Sequence, residues 1–157
     1  MTPEATTALV ISSKDDLYNL LHTVVGPCAP IQISQERIDQ FAAATGDHQW
    51  IHTDPERAKD GPFGTTIAHG YLTLSLAPGL LEELIDLSGA SMAMNYGCDK
   101  VRFPSTVPVD SMVSMTVELK NIDDTRKGLQ CLFELTFTVE GSAKPVCVAD
   151  VIYLIVF

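Results

Sequence analysis

Asp47 and His52 stand five residues apart in the stretch GDHQWIHTDPERAKDGPFGTTIAHGYLTL, residues 46–74, and Gly70 opens an apolar segment downstream of them. A carboxylate and an imidazole that share one water can take a proton from it and deliver a proton elsewhere, with pKa values that burial tunes across neutrality. A glycine amide at a helix start can stabilise an oxyanion, and the missing Cβ lets a ligand approach the backbone closely. These residues predict an acid/base site with an oxyanion cradle, chemistry that needs no cofactor. The plainer alternative is a turn aspartate and a surface histidine. His48 and His52 have the four-residue spacing that binds zinc on a helix, but the segment reads as a loop and offers no third ligand, so no metal is expected. His69 is expected to pack or hydrogen-bond beside the helix start. Trp50 reads equally as core or as the wall of a ligand tunnel.

The flanking segments must position these groups. Ser34 has the features of an N-cap, with Ile33 and Ile38 as the two halves of a hydrophobic staple. Ile38, Phe41, Ala42 and Thr45 then recur at helical spacing, which predicts a helix over 34–44 that ends at Gly46 and fixes the chain just before Asp47. Asp54 and Pro55 predict a second short helix over 55–59, followed by bends at Gly61-Pro62 and Gly64. Residues 67–87 form the longest helical segment, apolar nearly all round and therefore buried on most sides, with Pro78 kinking it or ending its first half near Leu76. Upstream, residues 12–21 predict a helix capped by Ser12 or Ser13, residues 30–34 a strand, and residues 1–10 show no pattern and are expected to fray.

After Gly89 the apolar period changes to two. Strands are predicted over 92–103, 111–122, 128–140 and 145–156, with turns at 104–110, 123–127 and Gly141-Ser142. A buried helix followed by long strands implies an antiparallel sheet wrapped around a helix, an α+β fold, and the chain 1–157 reads as a single domain.

A net charge of −10 argues against nucleic acid and anionic membrane surfaces as partners. Cys28, Cys98, Cys131 and Cys147 lack metal spacing and read as buried free thiols of a reducing compartment. The N-terminus shows no secretory pattern, and the most apolar run is too short and too interrupted for a membrane span, so a cytoplasmic location is expected. Lys100, Arg102, Arg126 and Lys127 are scattered and read as solvated surface.

Thr45-Gly46-Asp47 with His52, Ala68-His69-Gly70, Asn95-Tyr96-Gly97 and Val101-Arg102-Phe103-Pro104 together resemble the MaoC-like dehydratases, the (R)-specific enoyl-CoA hydratases with the hot-dog fold, and their NodN-like branch in particular. The resemblance covers about residues 31–157. It implies a homodimer of hot dogs and reversible hydration of trans-2-enoyl thioesters of CoA or an acyl carrier protein. It also implies Asp47 and His52 as the catalytic pair and Gly70 as the amide on the thioester oxygen. Trp50, His69 and Asn95 are candidate ligand contacts, with Asn95 also a candidate for the dimer interface. The chain departs from the family pattern in having Gln49-Trp50 where the hydratases commonly have Asn-Pro, and Pro78 where better-known members have a serine. Those departures keep open a non-catalytic acyl-thioester binder or interaction subunit. A hot-dog thioesterase is disfavoured, because the first acid of the long helix, Glu82, lies several turns from Gly70.

Overall fold

Period-two patterning after Gly89 becomes four long strands in the computed structural model, which describes residues 7–157. In chain order the strands are β1 (Leu9–Val10), β2 (Val24–Val25), β3 (Ile31–Gln32), β4 (Ile85–Asp86), β5 (Met92–Arg102), β6 (Met112–Thr125), β7 (Gly128–Val139) and β8 (Cys147–Val156). The helices are α1 (Lys14–Leu20), α2 (Gln35–Thr45), α3 (Trp50–Thr53), α4 (Pro55–Lys59), α5 (Gly70–Ser75) and α6 (Ala77–Leu84). The main sheet is antiparallel in the order β2-β6-β7-β8-β5, and β3 also pairs with β6.

One face of this sheet carries Val113, Met115, Val117, Leu119, Phe133, Leu135 and Phe137, all buried. Alternate residues of a strand share a face, so these side chains form one apolar wall. Leu72, Ala77, Leu80, Leu81 and Leu84 of the two consecutive helices α5 and α6 belong to the same buried cluster. Each fully buried Leu or Phe contributes roughly 1.5–3 kcal/mol. The expected sheet around a helix is therefore the observed arrangement, the hot-dog fold.

The long helix differs from its sequence pattern at its two ends, starting at Gly70 and stopping at Leu84. It starts at Gly70 rather than at 67, because Ala68 N–H is bonded to Val107 O and Ile67 N–H to Ile51 O, which holds that stretch extended. It breaks at Leu76, as the sequence predicts, and Pro78 sits in the first turn of α6, where its missing N–H costs nothing. Burial on most sides holds, with Leu72, Leu80, Leu81 and Leu84 buried, and Tyr71, 71% exposed, marks the open side. At its far end Ile85 and Asp86 pair in parallel with Leu9 and Val10. Residues 9 and 10 are thus a strand rather than frayed chain, while 1–6 lie outside the described residues. The hairpin turn between β6 and β7 is tighter than expected, because Asp123 and Asp124 still pair with Gln130 and Leu129.

The supports of the site match their patterns. Ser34 Oγ accepts the Arg37 N–H at the start of α2, and Gly46 closes that helix in the left-handed conformation at φ 80°. Asp54 caps α4 by accepting the Arg57 N–H, with Pro55 in the first turn. Among the described residues no helix is long and apolar enough to cross a membrane. All four cysteines are free. Three are buried, but Cys98 is exposed on β5, contrary to the expectation for all four. Burial pushes the Cys131 thiol up to about 12 and the Cys147 thiol up to about 11.

Candidate active site

His52 does not lie in a loop. It sits in α3, a single turn too short to persist alone, and tertiary bonds hold it. Gln49, at the N-cap, accepts the His52 N–H, and Trp50 occupies the first helical position, where proline is otherwise favoured. The His52 ring is buried, and its Nδ1 lies 2.7 Å from the carbonyl oxygen of Ile67. A carbonyl only accepts, so Nδ1 carries the hydrogen and Nε2 of the neutral ring keeps its lone pair. Burial is the main cause that lowers the His52 pKa. The nearby His69 also lowers it, and the Ile67 carbonyl and Asp47 oppose the shift. The ring is therefore neutral at neutral pH.

Asp47 follows the left-handed Gly46, and its carboxylate is about half exposed. Its Oδ1 accepts the Gln49 N–H at 3.3 Å, a local turn that steers the side chain. His69 joins the two groups. It is 3% exposed, its ring stacks on that of His52 at 3.9 Å between centroids, and its Nε2 donates to the Asp47 carbonyl at 2.9 Å. Asp47, His52 and His69 each offer a polar atom within 4.8 Å of the others. One water with two hydrogen bonds of about 2.8 Å spans such a separation.

The same three residues form a ligand set different from the His48–His52 pair that the spacing suggested. Their geometry suits a metal poorly: the two rings stack with planes only 26° apart, so their in-plane lone pairs run side by side instead of converging on one point. His48 is exposed and lies outside the group.

Gly70 is the first residue of α5, so its N–H has no intrahelical carbonyl to bind. It lines a cleft of about 290 Å³ together with His52, Thr73 and Phe103. A Cβ on Gly70 would lie 3.1 Å from three atoms of the Phe103 ring. Phe103 was visible in the sequence only as part of Arg-Phe-Pro. Its place over Gly70 depends on β5 ending beside α5, which no local pattern records.

The remaining candidates lie elsewhere. The Trp50 ring is covered by the Arg57 guanidinium at 4.4 Å and rests against the Cα of Gly61, so it anchors α3 on α4 and does not line the cleft. Asn95 is exposed on β5 and lines a separate cavity of about 620 Å³ with Pro78, Glu82 and Tyr153. Glu82 does not line the cleft that Gly70 lines. Lys100 pairs with Asp150 at 3.6 Å.

A model of the MaoC like domain matches residues 18–138. The 3-hydroxyacyl-thioester dehydratase Z of Mycobacterium tuberculosis (strain ATCC 25618 / H37Rv) is 53% identical over 127 residues, covering 80% of this chain and 84% of that protein. Nodulation protein N of Rhizobium leguminosarum bv. viciae is 40% identical over 130 residues, or 81% of each chain. Among solved structures, the (R)-hydratase from A. caviae involved in PHA biosynthesis matches with a TM-score of 0.68 at 22% identity, covering 80% of this chain and 89% of that one, a likeness of fold. The matched span runs from Tyr18 to Thr138 and contains Asp47, His52, His69 and Gly70, and the chain belongs to the MaoC-like dehydratase family.

Proposed function

We propose that the chain catalyses the reversible hydration of trans-2-enoyl thioesters, of CoA or an acyl carrier protein, to (R)-3-hydroxyacyl thioesters. One observation carries the reading: a neutral His52, its Nδ1–H committed to the Ile67 carbonyl, stands near the Asp47 carboxylate beside the cleft that Gly70 lines. In hydration, His52 Nε2 takes one proton of the water as its oxygen bonds to C3 of the enoyl group. Electron density moves to the thioester oxygen, where the Gly70 N–H stabilises it. The imidazolium then returns the proton to C2, so the elements of one water are added. Asp47 accepts a hydrogen bond from the water's second hydrogen and stabilises the imidazolium while it exists. Dehydration reverses each step.

The assembly that goes with this reading is a two-fold homodimer. Among the described residues β5 pairs on one side only, with β8, and it exposes Met92, Met94 and Tyr96, with Tyr71 and Phe103 also exposed. A long apolar edge of this kind is covered in stable proteins. The whole chain acts as one domain, and its free thiols fit a reducing, cytoplasmic compartment.

The decisive experiment follows loss of the enoyl-thioester absorbance with crotonyl-CoA and longer enoyl-CoAs, with the chirality of the product determined in parallel. Conversion to the (R)-3-hydroxyacyl product is the expected result. Binding without turnover at any chain length would leave a non-catalytic acyl-thioester binder. Sedimentation at micromolar concentration checks the assembly, and a monomer there would overturn the dimer.

A further inference from the structure

Gln35 takes no part in proton transfer, yet its side chain touches both segments that hold the His52 ring. It is the first residue of α2, the helix that ends at Asp47's neighbour Gly46. Its Nε2 donates to the backbone carbonyl of His52 at 2.8 Å and to Asp39 Oδ1 at 2.8 Å. Its Oε1 accepts the Thr66 hydroxyl at 2.5 Å, and Thr66 is 1% exposed. The orientation of the amide follows from its partners: a carbonyl and a carboxylate require the two N–H groups, which leaves the oxygen for the hydroxyl.

The bond that sets the tautomer of His52 lies between these two anchors. Ile67 follows Thr66; its carbonyl accepts His52 Nδ1–H at 2.7 Å, and its N–H donates to Ile51 O at 3.0 Å. The one-turn α3 and the extended 66–69 segment thus meet across three residues, and Gln35 ties them from the side through His52's own carbonyl and Thr66. A one-turn helix leaves its last carbonyls without intrahelical partners, so the His52 carbonyl needs a donor from outside. Nothing else described bonds to that carbonyl.

We propose that Gln35 and Thr66 form a brace that positions His52, holding the Ile67 carbonyl against Nδ1 so that Nε2 remains the free nitrogen at the reacting water. Both are positioning residues, since neither lines the cleft. The inference rests on the reading of His52 as the proton-transfer base.

The test uses the full-length chain with nitrogen-15 labelled histidine, the His52 signals being assigned by their loss in His52→Gln. The wild-type ring should show one tautomer, protonated at Nδ1. Gln35→Met, which keeps the length of the side chain but neither donates nor accepts, should give a mixture of tautomers. Its kcat should fall on the order of 10- to 100-fold, the size expected for misplacing a catalytic group by about 1 Å, with KM changed less than about threefold. Thr66→Val should do the same more weakly, and Thr66→Ser, which keeps the hydroxyl, should recover the single tautomer and most of the rate. If Gln35→Met does not fold, the Thr66→Val and Thr66→Ser pair decides. A single Nδ1–H tautomer retained in Gln35→Met and Thr66→Val would overturn the brace, even where the melting temperature drops. The imidazole spectrum reads the brace without turnover, so absence of hydration by the wild type counts against the proposed reaction alone.

Discussion

The cleft that holds His52 and Gly70 has about half the volume of the cavity between α6, β5 and β8, about 290 against 620 Å³. The two are built differently. The larger has walls of Pro78, Leu81, Ile85 and Leu87, and it adjoins an edge strand that pairs on one side only among the described residues. The smaller is lined by His52 and by Ile67, whose carbonyl His52 engages, and His69, stacked on His52, holds the Asp47 carbonyl. Volume arises where elements stop short of one another. Chemistry arises where the backbone holds polar side chains in one orientation with one nitrogen left free. If that distinction is right, substitutions in the cleft act on kcat, and substitutions in the cavity act on KM or assembly.

The largest effect should come from the acid/base pair. Asp47→Asn and His52→Gln should each lower kcat/KM by about 10²–10⁴-fold in enoyl-thioester hydration. If both act on one water as proposed, the double variant should be little worse than either single one. Near-wild-type rates in either would remove the pair from the mechanism and with it the contrast between cleft and cavity.

Gly70 comes next. Loss of one oxyanion donor costs about 2.7–4 kcal/mol, or 10²–10³-fold in kcat. Gly70→Val should approach that loss by pushing ligand and Phe103 off the amide. Gly70→Ala should do less, since only a methyl at 3.1 Å from the Phe103 ring must be accommodated, and that ring is 41% exposed and can move. Melting curves run beside the kinetics separate the roles: a destabilised but catalytically normal valine variant would show that Gly70 serves packing alone.

A moderate effect is expected from pH. Burial holds the His52 pKa below its ordinary value, so the acidic limb of kcat/KM should fall below about pH 6.5. Stability should move the same way. In the window between the lowered folded pKa and about 6.5 the unfolded chain binds more protons at this site than the folded one. This contribution is therefore fully present above about 6.5 and is lost as pH falls through the folded pKa. A limb centred above 6.5 would mean that another group is the base.

The smallest effect on the chemical step should come from the cavity. Asn95→Ala should leave kcat within about threefold while changing KM or the sedimentation coefficient, as expected for a rim position on an exposed strand. A large drop in kcat at unchanged KM would bring Asn95 into the acid/base site and erase the comparison.

The parts of this protein that the sequence determined alone are those set by local backbone chemistry. Ser34 and Gly46 bound α2 because a hydroxyl satisfies a free N–H and a glycine accepts positive φ, and Asp47 is placed as the next residue. The alternation of Val113, Met115, Val117 and Leu119 identifies the core face of β6 for the same kind of reason, since a strand's period does not depend on its partners. Asp47, His52 and Gly70 were legible as a set because their types and spacing match a known family. Tertiary contacts decided the rest. One helical turn at residues 50–53 has no propensity to form alone and exists because Gln35 and Ile67 hold it. Trp50 turned to Gly61 and Arg57, and His69 was drawn in from 17 residues beyond His52 to stack on it. Which nitrogen of His52 stays free depends on a carbonyl 15 residues away in the chain, a relation that has no local signature and forms only when the two segments pack.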